Sequence, residues 1–214
     1  MIKKFMMLAA VTLCTISCDQ PQIRQSQPAM PVSPELEKEI RGVLGGGIYL
    51  DERKRQIPAI VSAFARRTDP QRARRLASLC YLKTLDTPFM PLDMAEIALA
   101  ETGSHGLSAK AVSPRGALGV WQLMPSRAKS HGYSPSDMEN DEKCAEAAVR
   151  ELLTKMEMAR GNLRKAKKLY CGIGPQADAY EEKRIRYRKE LLREMMKFPP
   201  ARAENSLDTH LHPS

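Results

Sequence analysis

A chain of 214 residues holds one domain with a real core and some flanking material. Aromatic residues make up only 5% of it, against 28% charged residues, 15 prolines and 12 glycines, which suits a mostly helical protein with irregular connections rather than a β-sandwich. The formal net charge of +9 points to an anionic partner, a surface or a nucleic acid.

Met1-Ile2-Lys3-Lys4 is a short basic start, Phe5 to Ile16 is almost wholly apolar, and small residues end at Ser17-Cys18. This is the three-part pattern of an export signal over residues 1–17, too short to span a bilayer as a permanent helix. Ile16-Ser17-Cys18 resembles a lipobox, although Thr15 stands where Leu is usual; Cys18 is the expected lipidation residue, with plain secretion as the alternative. The expected location is therefore periplasmic, anchored to the inner or outer membrane, and an Asp19 after the anchor resembles an inner-membrane retention signal. Loss of Lys3 and Lys4 with the signal lowers the charge from +9 to +7 (9 − 2), which still suits an anionic wall or phospholipid surface, and export argues against nucleic acid. Cys80, Cys144 and Cys171 then remain, enough for one bridge whose pairing the sequence does not choose. No cysteine pair has ligand spacing and the histidines are scattered, so no metal and no cofactor is expected.

Residues 18–32 read as a tether rich in Gln, Pro and Ser. Residues 33–87 form a helical extension. Ser33-Pro34-Glu35 starts a helix that runs to Leu44 and is ended by glycines. A second helix covers Asp51 to Arg67, with Ile57, Ile60, Val61 and Phe64 on one face and Pro58 as a kink or a break. A third runs from Asp69 or Pro70 to about Leu85, with Leu76, Leu79, Cys80 and Leu82 inward and Arg72, Arg74 and Arg75 toward solvent. Residues 88–196 carry the chemistry. Leu92 to Thr102 is apolar on most sides, hence a buried helix, stopped by Gly103. Residues 103–124 are irregular with a short hairpin, and Pro125 opens a helix to about Ser130. Asp141 to Ala159 and Leu163 to Tyr170 pair about Gly161-Asn162, and Glu181 to Met196 is a last, basic helix. Residues 197–214 read as a disordered tail.

Glu101 ends the buried helix. Apolar neighbours, the negative end of the helix dipole and the lack of an adjacent cation in sequence all favour its protonated form. A raised pKa is what a general acid needs near neutrality, while a glutamate simply reaching solvent fits the same local pattern.

Together with this Glu, the run Ala111-Val112-Ser113-Pro114-Arg115-Gly116-Ala117-Leu118-Gly119-Val120-Trp121-Gln122-Leu123-Met124-Pro125 resembles a known signature. It is that of the lytic transglycosylases with a soluble-transglycosylase-like (SLT) catalytic domain: a helix ending Glu-Ser, then Ser-Pro-x-Gly-Ala-x-Gly-Leu-x-Gln-x-Met-Pro. Leu169-Tyr170-Cys171-Gly172 resembles the family's Ala-Tyr-Asn-x-Gly turn, and Tyr187 falls where a later Tyr is expected. The resemblance covers 88 to 195. It implies a mainly α, lysozyme-like (goose-type) domain behind an N-terminal helical extension. It also implies cleavage of the peptidoglycan bond between N-acetylmuramic acid and N-acetylglucosamine, with closure of a 1,6-anhydro ring. Glu101 takes the catalytic acid/base place, Ser113 hydrogen-bonds near it or the substrate, Gln122 binds the sugar's polar edge, Met124 forms an apolar wall, and Tyr187 and Tyr170 orient the Glu or the sugar. Gly116 and Gly119 are expected to let the backbone approach the sugar, and Trp121 is read as core in preference to a stacking platform.

The sequence departs from the pattern at Thr102, which replaces Ser, and at Cys171, which replaces Asn. Ser113 stands twelve positions after Glu101, a few more than is common, so His105 to Ser108 read as an insertion lengthening the loop over the cleft. The expected partners are peptidoglycan strands, a membrane through the lipid, and an envelope-spanning secretion or assembly machine. Two alternatives stay open. One is a non-catalytic wall-binding or assembly protein on the same scaffold. The other is a hydrolytic muramidase, which needs a second carboxylate, with Asp137, Glu139 and Asp141 as candidates and Glu96 turned away from Glu101.

Overall fold

The structure, a computed structural model, describes residues 47–199. The export signal, Cys18, the tether, the Ser33–Leu44 helix and the tail from residue 200 lie outside the described residues. Helix α1 spans Gly47–Ala65 and runs through Pro58 without splitting, and α2 spans Pro70–Leu82. Asp69 caps α2 by accepting the Arg72 amide, with Pro70 preset at the first helical position. Helix α3 is Pro91–Thr102, followed by a 3-10 turn at Gly103–His105. The stretch after it is irregular, with isolated antiparallel bridges from Leu118 to Val112 and to Leu123. Helix α4 is Pro125–Ser130, a second 3-10 turn is Pro135–Glu139, and α5 is Asp141–Met158, capped by Asn140. Helix α6 is Leu163–Cys171, capped by Asn162, and α7 is Pro175–Met196. The chain is thus mainly α, and the last helix begins six residues earlier than Glu181 because Pro175 already sits at its first turn.

Every residue of α3 except Glu101 is buried. Its alanines at 95, 98 and 100 let α1, α2 and α7 pack around it. One continuous core joins Ile60 and Phe64 of α1, Leu76 and Leu79 of α2, Leu92, Ile97 and Leu99 of α3, and Trp121, Leu152 and Leu191 beyond. The extension is therefore part of the same packed body as the helices that follow.

Polar clamps reinforce that union. Buried Arg53 donates to the carbonyls of Thr84, Phe89 and Thr87 at 2.8, 2.7 and 3.0 Å, fixing the turn that feeds α3. Gln56 accepts the Leu92 amide at 3.0 Å. Arg67 pairs with Glu190, and Ser62 and Arg66 with Glu194, which ties α1 to α7.

Two expectations for α2 are corrected. Leu82 is 53% exposed, because the helix ends there and its last residue turns outward. Arg72 is not simply solvated: it pairs with Asp141 at 2.7 Å and donates twice to the Leu107 carbonyl, drawn in by a buried carboxylate that neighbouring Arg74 and Arg75 do not reach. Cys80, Cys144 and Cys171 are unbridged, and burial pushes the Cys80 and Cys144 thiols up, Cys144 to about 11.

Replacing Arg53 by Ala leaves three carbonyls of the α2–α3 turn without their donor. The expected loss of stability is about 3 kcal/mol, read from the urea midpoint at unchanged slope.

Candidate active site

Glu101 sits in the last turn of α3, where the helix emerges from the core. Loss of water around its carboxyl pushes the pKa up to about 7, against the opposing pull of the Tyr180 hydroxyl and the Lys183 ammonium. The Tyr180 hydroxyl is itself buried, and the polar group it faces is this carboxyl. Tyr170 donates to the Trp121 carbonyl at 2.9 Å and lies near enough to Glu101 for that charge to help hold its phenol protonated, after burial as the main cause.

The loop from Ala111 to Met124 is locked to the end of α3. Thr102 donates through its hydroxyl to the Val120 carbonyl at 2.8 Å, so this departure from Ser is a working tie between acid and loop. Trp121 is fully buried and donates its indole N–H to the Met94 carbonyl at 3.1 Å, which makes it core. Gly119, at φ +74°, passes so close to the chain at Met138 that a Cβ would lie 2.3 Å from that carbonyl oxygen. Its tight approach is thus to the protein's own backbone.

The other sequence-derived candidates divide. Gln122 adopts the left-handed region at φ 51°, an uncommon place for a residue with a side chain. Its amide nitrogen donates to the carbonyls of Ala111 and Gly119 at 3.1 and 2.7 Å, which fixes the side chain and leaves its oxygen for a ligand. Gln122, Met124 and Tyr170 line one cleft of about 210 Å³, Met124 being 40% exposed there. Cys171 closes the same cleft, and its thiol is pushed up by burial and by the neighbouring Glu101 charge. Ser113 is not brought onto Glu101: its hydroxyl accepts the Ala117 amide at 3.0 Å within its own turn. Tyr187 packs against the helix end, where a Cβ on Gly103 would lie 3.2 Å from its hydroxyl and Arg67 covers its ring at 5.2 Å. The tyrosine facing the acid is Tyr180, two turns earlier on α7. A helix beginning at Glu181 leaves Tyr180 out; the sequence signal that includes it is Gly174-Pro175, a helix opening that carries Tyr180 inward.

The residues after Glu101 do not hang over the cleft. Leu107 is fully buried at φ 51°, its carbonyl held by Arg72, and Gly106 abuts the Arg67 carbonyl, so the extra length folds against the α1–α2 corner. Of the acidic candidates, Asp137 is pulled down to about 2 by Lys143 and the Ser134 cap, Asp141 is held by Arg72, and Glu139 is exposed. Glu96 is fully buried among Lys167, Arg184 and Arg188. The carboxylate that does border the cleft is Glu151, which the sequence marked only through its helical spacing to Lys155.

A family model described as "Transglycosylase SLT domain" matches residues 93–191. Nothing among the curated proteins or the solved structures matches the chain.

A carboxyl raised from 4.5 to about 7 favours the folded state at low pH, and that contribution disappears as pH rises through 7. Glu101→Gln is therefore expected to match the parent near pH 4 and to exceed it by about 2–3 kcal/mol above pH 8 in denaturant titrations. Because the Tyr180 hydroxyl favours the charged form, Tyr180→Phe is expected to move the Glu101 titration upward, which carbon-labelled NMR reads directly.

Proposed function

Because residues 93–191 are a transglycosylase SLT domain and the chain so belongs to a lysozyme-like family acting on peptidoglycan, we propose that it cuts glycan strands without using water. In this reading Glu101 gives its proton to the oxygen linking N-acetylmuramic acid to N-acetylglucosamine, and that bond to C1 breaks. The carboxylate then takes the proton of the muramic C6 hydroxyl, whose oxygen closes onto C1 as a 1,6-anhydro ring. Acid and base are one residue and the protons balance.

The observation that carries the proposal is the Glu101 carboxyl, held near pKa 7 at the end of a buried helix and near enough to Tyr170 and Cys171, which line a cleft with Gln122 and Met124, for its charge to act on both. Such a group is half protonated at neutrality, so it donates and accepts with nearly equal ease. Tyr180 and Lys183 steady the carboxylate that forms after the first transfer. A hydrolytic muramidase needs a second carboxylate free to activate water or attack the sugar. Asp137 and Asp141 are engaged elsewhere, Glu139 is exposed and does not line the cleft, and Glu151 is held by Lys155 and His131. A non-catalytic wall-binding protein remains the competing class, on the strength of Cys171 at the cleft rim.

We assign the protein to the periplasm, lipid-anchored through Cys18, on the export and lipobox pattern of residues 1–18. No helix among the described residues is long and apolar enough to cross a membrane.

Purified peptidoglycan digested with residues 19–214 is expected to release anhydro-muropeptides by mass spectrometry, and Glu101→Gln is expected to release none. Reducing-end fragments would instead make the protein a hydrolase, and no fragments from a folded protein that still binds wall would make it a binding module. The rate is expected to fall as pH rises through about 7, as the acid form of Glu101 is lost.

A further inference from the structure

The cleft that Gln122 and Tyr170 line also holds charges that the cutting chemistry does not use. Glu151 and Lys155, both on α5 and both buried, pair at 3.0 Å. His131 lies 2.8 Å from the other oxygen of Glu151, and the Arg127 guanidinium approaches the same carboxylate at 3.7 Å. Two permanent cations and a histidine thus share one carboxylate, a net charge of at least +1 (two cations, Arg127 and Lys155, minus one anion, Glu151). Lys155 is committed to its partner by burial. Arg127 is not: its side chain is 49% exposed, its contact with Glu151 is loose, and it borders the same cavity as Gln122, Met124 and Tyr170. A planar guanidinium with unused donors, beside an already neutralised carboxylate, is set to take a second carboxylate.

A glycan strand of N-acetylated sugars is itself neutral, and its carboxylates hang from the muramic side arm. Resting on the transglycosylase reading above, we propose that Arg127, backed by the Lys155–Glu151–His131 cluster, is a carboxylate-binding subsite that engages the muramic side arm and so positions the strand over Glu101. The carboxylate has two sources, the free lactyl group of a denuded strand or an acid of the stem peptide. In either case the subsite discriminates muramic-containing strands from chitin-type oligomers. It does so by charge rather than by sugar contacts.

The test is binding, measured by calorimetry on the full exported chain carrying Glu101→Gln so that no strand is cut, with and without Arg127→Gln or Arg127→Lys. Three ligands of equal length serve: a chito-oligosaccharide, a denuded strand and a peptide-bearing strand. At least one muramic strand is expected to bind about tenfold tighter than the chito-oligosaccharide, a preference lost in Arg127→Gln and kept in part by the positive charge of Arg127→Lys. The denuded strand showing that preference assigns the lactyl carboxylate; only the peptide-bearing strand showing it assigns the stem peptide. Equal binding of all three ligands, or a preference that survives Arg127→Gln, overturns the subsite while anhydro products from the parent protein still uphold the cutting reaction. Failure of every ligand to bind, together with absent cleavage, overturns both.

Discussion

Helix α3 carries two carboxylates, Asp93 and Glu96, into a core where nothing but the protein can solvate them, and the arrangement of the later helices follows from meeting that demand. Lys167 reaches Asp93 at 2.6 Å and Glu96 at 3.1 Å from α6, Arg184 pairs with Glu96 from α7, and Arg188 approaches Asp93 at 3.1 Å. Bringing ions into a dry interior is costly, so such a cluster adds little net stability over a hydrophobic one. Removing a single member is another matter, costing about 3–5 kcal/mol because a buried charge is stranded. The network therefore acts as a key: only one docking of α6 and α7 on α3 satisfies all of it. That docking is what brings Tyr170, Tyr180 and Lys183 to Glu101.

Glu101 shows the opposite treatment of the same chemical group on the same helix. Five residues along, it receives no ion pair at contact distance among the described residues; a phenol and a more distant ammonium only temper its desolvation. Glu96 is ion-paired with Lys167, Arg184 and Arg188, whereas Glu101 is left close to the point where charged and neutral forms balance at neutrality. The fold thus separates an ion-paired carboxylate from one without a contacting cation among the described residues, within less than two helical turns.

Much of this was legible in the residues. The all-round apolar character of Leu92 to Thr102 locates α3, and Pro125 and Asn162 mark where α4 and α6 open. Glu101 stands out because a charge at the end of such a helix has no local compensation. The residues that were not legible owe their places to long-range contacts. Arg72 looks like its solvated neighbours until α5 delivers Asp141, and Leu82 fits the inward stripe until the helix stops beneath it. Tyr180 depends on where the last helix begins, and Pro175 opens it six residues before Glu181. The extension shows a related limit: the family match begins at residue 93, yet the core that shapes the site includes Ile60, Phe64 and Leu76.

The segment between Glu101 and Ser113 carries a lesson about length. Its near end is tied by Thr102 to Val120, and its middle is anchored by Leu107 and Arg72 on the far side of the helix end. Between those two moorings Gly103 and Gly106 pack against Tyr187 and Arg67, and only Ser104 and His105 stand exposed. Residues added at the exposed Ser104–His105 turn lengthen the chain between Glu101 and the loop while the Thr102–Val120 hydrogen bond still joins the two directly. Such a stretch is a natural tolerance zone, where a lineage can gain or lose residues, or an engineer can splice a tag, while the geometry that matters stays fixed from both ends.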